Sequence, residues 1–235
     1  MSGQATDPKK RKDAGIRLTP RDHILLRLSG EQYALRFDQA QRVMAKYSPN
    51  AKDLQTPGVL SDSATRHRLS EVEQAGLITY KKILVDVPGS LWLTTAGYRA
   101  AGLPFRFVVP ASDDLNHIYW CAQVRLWLLL NKPDYAEIWR SERWQRRELD
   151  QKIKQVKVPD ALMSLPQGGT IAVEVERTVK GPVILVEVLR ARAMIYDQVW
   201  YVCPPESIKA VQTAQAKLET LYQQKIVVYE SRQFL

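Results

Sequence analysis

The chain has few of the residues that would bind it together covalently or through a ready-made metal cage. Among 235 residues there are 2 cysteines, Cys121 and Cys203, and 3 histidines, His23, His67 and His117. Two cysteines exclude a disulfide framework, and neither lies in a zinc-type spacing. The histidines are scattered with no His-x-His pair, which argues against a metal centre built from clustered histidines. Each reads as a core or surface residue. Long apolar runs are also missing: Leu126-Trp127-Leu128-Leu129-Leu130 falls far short of the roughly 20 residues that cross a bilayer. The start, Met1-Ser2-Gly3-Gln4-Ala5-Thr6-Asp7, lacks the apolar centre of a signal peptide. These absences predict a cytoplasmic protein with reduced thiols and no membrane insertion.

What is present is a hydrophobic share of 45% and a net charge of +9, which suit a globular, basic protein. The basic surplus is uneven. Residues 1–104 hold 16 Lys and Arg against 10 Asp and Glu, whereas residues 105–235 hold 18 against 15. A docking surface for a polyanion is therefore expected in the first half.

Composition divides the chain into a basic flexible arm at 1–15, a first domain at 16–104 and a second at 105–235. The arm carries Pro8-Lys9-Lys10-Arg11-Lys12, which adds non-specific phosphate affinity. In the first domain, Thr19-Pro20-Arg21-Asp22 has the chemistry of a helix start. A second helix is predicted over Tyr33–Lys46, and a third from Ser61 or Ser63 to Ala75, with Gly76 as its stop. Two strands follow, Leu77–Val85 and Ser90–Thr94, turned by Pro88-Gly89. Three helices and a hairpin are the order of a winged helix-turn-helix. Its third helix would present Thr65, Arg66, His67 and Arg68 to a DNA groove, with Lys81 and Lys82 of the wing on the backbone. Residues 103–110 read as a linker.

In the second domain a helix is predicted from Asp113 to Leu130. Arg140, Arg143, Arg146 and Arg147 interleave with Trp139 and Trp144, a pattern that suits either nucleic acid or an ordinary helix with a wet basic face. Further on, Val158-Pro159-Asp160 and Glu174-Val175-Glu176 flank two apolar strands joined by Pro166-Gln167-Gly168-Gly169, a hairpin turn. Strand alternation gives Glu174 and Glu176 one face. The hairpin would bring Asp160 beside them, with Lys180 nearby. Carboxylates gathered at a sheet end are hard-oxygen ligands for a divalent cation and suit metal-assisted phosphodiester cleavage. Glu142 is a further upstream acid, or a surface partner of Arg143 and Arg146. A helix over Val183–Tyr196, a strand over Trp200–Cys203, a helix over Ser207–Gln224 and a strand over Ile226–Tyr229 complete an α/β fold with a central mixed sheet.

Pro-Asp on one strand and an acidic pair on the next, in this order of elements, resemble the PD-(D/E)xK restriction-endonuclease-like superfamily. The usual Glu-x-Lys is replaced here by Glu174-x-Glu176, with the lysine moved to Lys180. This variant, behind an N-terminal winged helix, resembles the MOBC plasmid relaxases. The resemblance implies metal-dependent, site- and strand-specific nicking at an origin of transfer. Asp160, Glu174 and Glu176 would hold Mg²⁺ or Mn²⁺, and Lys180 would act on the attacking water or offset charge in the transition state. It also implies double-stranded plasmid DNA as partner, with an accessory relaxosome protein and a coupling ATPase. Most relaxases use a nucleophilic tyrosine beside clustered histidines; without such a cluster, an activated water is the expected nucleophile. The alternatives are a non-catalytic plasmid replication or transcription regulator with a degenerate nuclease domain, and an ordinary double-strand nuclease.

Overall fold

Thr19 starts the first helix through its contacts with Asp22. Its N–H and Oγ1 donate to Asp22 Oδ2 at 2.7 and 2.6 Å, and Pro20 occupies the first helical position, where no N–H is needed. This opens α1, Pro20–Glu31. The computed structural model describes residues 16–48, 54–149, 157–178 and 180–235, and within them the protein is mixed α/β. The basic arm expected at 1–15 lies outside the described residues.

The second helix starts later than the sequence suggests. Tyr33 takes φ 71°, which a right-handed helix cannot contain, and Leu35–Arg36 pair as strand β1 with the strand at 90–91. Helix α2 therefore spans Phe37–Lys46, its entry fixed by Gln39 Oε1 accepting from the Arg36 N–H at 3.0 Å. A small hairpin, β2 (Leu54–Thr56) and β3 (Val59–Leu60), leads to α3, Asp62–Gln74. Ser61 caps α3 by accepting from the Ala64 N–H at 3.3 Å. Gly76 ends it at φ 73°, which lets the Leu77 N–H reach back to Val72 O at 3.2 Å.

Strands β4 (Ile78–Lys81) and β5 (Ser90–Leu93) form an antiparallel hairpin, and β1 adds on the far side of β5. The first of these is shorter than the Leu77–Val85 expected. The ladder ends at Lys81 opposite Ser90, and the connection carries Asp86 at φ 59° and a proline with no N–H to donate. Helix α4, Thr95–Ala100, closes the first half over a core of residues such as Leu25, Val43, Leu69, Ile78 and Leu91.

Helix α5, Leu115–Asn131, is buried on nearly every side and joins the two halves. Ala122 and Leu126 enter the first-half core, while Cys121, Val124 and Leu128 pack on the second-half sheet. The rest runs α6 (Pro133–Glu137), β6 (Trp139–Ser141), α7 (Glu142–Glu148), β7 (Ala161–Ser164), β8 (Thr170–Val175), α8 (Pro182–Ile195), β9 (Gln198–Cys203), α9 (Ile208–Gln215), α10 (Thr220–Gln223) and β10 (Ile226–Glu230). The sheet order is β10-β9-β8-β7-β6, with β8, β9 and β10 parallel and β6, β7 and β8 antiparallel. Its β8 face of Ile171, Val173 and Val175 meets α5, while Val199, Tyr201 and Cys203 of β9 meet α8 and α9. The single helix expected over Ser207–Gln224 is two helices. Gln215 Nε2 donates to Gln223 O and Ile226 O, both at 2.9 Å, and Gln223 Nε2 to Leu218 O at 2.7 Å, which pins a corner between them.

Residues 103–110, expected as a linker, have no regular structure, yet the halves are held tightly. Arg143 is only 7% exposed; its Nη1 donates to Gly30 O at 2.6 Å and Tyr98 Oη at 2.5 Å, and its Nη2 to Arg106 O at 2.8 Å. Its guanidinium also lies 4.5 Å from the ring centroids of both Tyr33 and Phe105. Neither the nucleic-acid surface nor the wet basic helix face expected for this cluster describes Arg143: it is a buried tie between halves. Among the described residues, no helix is long and apolar enough to cross a membrane.

Candidate functional site

Strand register builds the site. Ala161 of β7 lies opposite Val173 of β8, so one residue further on Asp160 comes opposite Glu174. The Asp160 carbonyl accepts from the Glu142 N–H at 3.0 Å, fixing the start of α7 beside it. Its carboxylate is held at both oxygens. Oδ2 accepts from the Val175 N–H at 2.7 Å, and Oδ1 is 3.0 Å from His117 Nε2 on α5. The bond to Asp160 raises the His117 pKa above its ordinary value, against the effect of burial.

Glu174 points from β8 towards α8, where Arg192 Nε donates to its Oε1 at 2.5 Å. Arg192 also donates from Nη2 to Val158 O at 3.1 Å and from Nη1 to Lys157 O, so one guanidinium clamps the segment leading to Asp160 onto the strand carrying Glu174. Burial, and after it the Asp160 carboxylate, push Glu174 up to about 7 in spite of Arg192. Such a carboxyl keeps its proton well above the ordinary carboxylate range, and a cation beside it would favour ionisation.

Glu176 has the opposite character. Burial pushes its pKa up, but Lys180 and the backbone N–H groups of Thr178 and Arg177 outweigh that and hold it below the usual range. Oε1 accepts from the Arg177 and Thr178 N–H groups at 3.0 and 3.1 Å, while Oε2 accepts from Tyr201 Oη at 3.1 Å and lies 2.5 Å from Lys180 Nζ. Both oxygens are thus taken by protein donors. The hairpin brings Asp160 beside Glu174, whereas Glu176 and Lys180 neutralise one another.

Another group converges on Asp160. The ligand atoms of His117, Cys121 and Asp160 all lie within 4.8 Å of one another, which makes them the candidate metal-holding trio among the described residues. A cavity of about 480 Å³ opens beside them, walled also by Glu142, Ser141 and Gln32.

The groove-reading set divides. Thr65 is fully buried with Oγ1 donating to Ser61 O at 2.9 Å, and Arg68 is paired with buried Asp22 at 2.5 Å and with Glu71 at 2.7 Å. Thr65 is tied within its own helix and Arg68 holds α3 against α1, so neither is free to read bases, which corrects their expected role. Arg66 and His67 are exposed on α3, as are Lys81 and Lys82 after it. Arg66 lies 4.7 Å over the Phe37 ring and 3.7 Å from Asp62. His23 shares no part of the site. Arg140 pairs with Glu148, and Arg146 Nε with Glu142 Oε1 at 2.6 Å.

Comparison with protein-family models, with curated proteins and with solved structures returned no match. Sequence reasoning overlooked Arg192, whose partner lies 18 residues away on another element. It also set aside His117 and Cys121. The available signal was their spacing of four on a helix, which puts both on one face.

Proposed function

We propose that this chain is a metal-dependent DNA-nicking protein of the plasmid-relaxase type, with a winged-helix first half and a restriction-endonuclease-like second half. The observation that carries the reading is the pairing of Asp160 with Glu174 at one end of the mixed sheet, where Glu174 is raised to about 7 by burial and by Asp160. Three helices followed by a hairpin, with Arg66, His67, Lys81 and Lys82 exposed, support DNA docking by the first half.

In this reading Asp160 and Glu174 hold Mg²⁺ or Mn²⁺. A bound ion of this kind supplies charge neutralisation at the scissile phosphate and acidifies a coordinated water. The chain's own groups do the rest. Val175 N–H fixes the rotamer of Asp160, and Arg192 sets the position of Glu174 and offsets its charge until a cation arrives. Lys180, paired with Glu176, is a cation that can swing to a phosphate oxygen once DNA is present. A strand-specific nick at an origin of transfer, with an accessory protein and a coupling ATPase as partners, completes the proposal. The setting is the cytoplasm.

The test is incubation of the full chain with supercoiled plasmid bearing its native origin region, in Mg²⁺, Mn²⁺ or EDTA. Metal-dependent open circles from the wild type, absent with Asp160→Asn and Glu174→Gln, are expected. Arg66→Ala together with Lys81→Ala is expected to weaken retardation of origin DNA without loss of thermal stability. Linear product would replace nicking by ordinary double-strand cleavage.

A second reading has its own support. Arg192 on Glu174 and the closed shell of Glu176 leave few free carboxylate oxygens, as in a non-catalytic DNA-binding regulator with a degenerate nuclease domain. Retardation without cleavage in any metal would favour it.

A further inference from the structure

We infer that His117, Cys121 and Asp160 form a site for a borderline divalent transition ion of the zinc class, open on one side to the cavity between the halves. The inference shares Asp160 with the proposed nuclease centre but does not depend on DNA cleavage.

Ligand spacing is the first argument. Tetrahedral Zn²⁺ with bonds of ~2.0–2.1 Å to nitrogen and oxygen and ~2.3 Å to sulfur sets neighbouring ligand atoms ~3.3 Å apart for N and O and ~3.6 Å apart for N and S. Here His117 Nε2 lies 3.0 Å from Asp160 Oδ1 and 3.5 Å from Cys121 Sγ. A few tenths of an ångström of opening would admit the ion.

The donor set is the second argument. One imidazole, one thiol and one carboxylate suit a borderline ion far better than Mg²⁺, which takes oxygen ligands and retains its water. His117 and Cys121 lie one helical turn apart on α5, so the helix itself fixes their spacing. Asp160 is oriented from behind by the Val175 N–H, the kind of outer-shell bond that holds a ligating carboxylate in place. Burial, then the carboxylates of Asp160, Glu142 and Glu174, push the Cys121 thiol well up. An ion binding here would displace the thiol proton.

The third argument is independent of the trio. Ser141 Oγ and Gln32 Nε2 are buried polar atoms with no hydrogen-bond partner, in residues 2% and 4% exposed, and both residues line this same cavity. Unmet buried donors are costly, and they are satisfied when a cavity holds polar occupants. A bound ion that carries water into this cavity would bring those occupants. Glu142, on the same wall, is paired through Oε1 with Arg146 at 2.6 Å and would have to leave that partner to join the ion.

Co²⁺ titration of the full chain, followed optically, tests the site. One equivalent is expected to give a thiolate-to-cobalt charge-transfer band together with intense tetrahedral d–d bands, both removed by excess Zn²⁺. The charge-transfer band should vanish in Cys121→Ser and persist in Cys203→Ser, and the d–d bands should collapse in His117→Ala. Should those variants misfold, alkylation of wild-type Cys121 gives the same answer, because Zn²⁺ should slow it and Mg²⁺ should not. No thiolate band in the wild type, or a band that survives Cys121→Ser, would overturn the inference. The two proposals fail separately. Nicking in Mg²⁺ with no cobalt–thiolate band would leave the nuclease reading and remove this site; the band without any nicking would do the reverse.

Discussion

Arg192 is where the structure makes its sharpest quantitative demand. Its side chain is 11% exposed and that of Glu174 14%, and it also donates to the carbonyls of Val158 and Lys157. Replacing it by methionine keeps the aliphatic bulk and removes the charge. The consequence depends on pH. In the wild type Glu174 binds its proton up to about 7, against an ordinary value of 4.5, so the native state holds a proton that the unfolded chain has lost. This group therefore lowers stability as pH rises from 4.5 to about 7, and has no further effect above. Without Arg192 the native pKa rises further, and the window of loss extends to higher pH. At about pH 5 both native proteins carry a neutral Glu174, and Arg192→Met should cost about 1–2 kcal/mol for its hydrogen bonds. At about pH 8 it leaves a buried carboxylate without its partner, and the cost should approach about 3–5 kcal/mol. Urea unfolding at the two pH values measures the difference, and Glu174→Gln in the Arg192→Met background should remove the pH-dependent part. An equal cost at both pH values, or no rescue by Glu174→Gln, would refute the clamp.

Arg143→Lys should destabilise almost as much as Arg143→Ala, by about 3 kcal/mol or more, because an ammonium cannot reproduce a fork shared by three acceptors and stacked on rings; thermal melts of the two variants test this. Gly97→Ala should unfold the first half, since a Cβ there would meet Leu77 O at 1.9 Å; a far-UV spectrum and melting temperature equal to those of the wild type would contradict the helix approach. Mn²⁺ binding should release more protons at about pH 6 than at about pH 8 from a Glu174 held above the usual carboxylate range, with affinity rising as pH rises. Calorimetry in two buffers of different ionisation enthalpy reads the release, and none at the lower pH would exclude Glu174 as a ligand.

Local chemistry alone dictated much of the fold. Thr19-Pro20, Ser61 and Gly76 mark helix ends because they satisfy or release backbone groups within a few residues, and the structure uses each of them in that way. The pairing of Asp160 with Glu174 was legible too, because a short hairpin between two alternating strands leaves little choice of register. Other features depended on residues distant in sequence. The start of α2 moved because Leu35 found a ladder partner at Leu91, and Arg68 became structural because α1 supplied Asp22. The sequence by itself determined the mixed α/β class, the basic first half and the carboxylate pair, since these follow from composition and from neighbours along the chain. Only the tertiary structure decided which charge meets which: Arg192 on Glu174, Lys180 on Glu176, and His117 with Cys121 on Asp160. A side chain's ionisation and availability are set by its partners and its burial, and those are brought together only by folding.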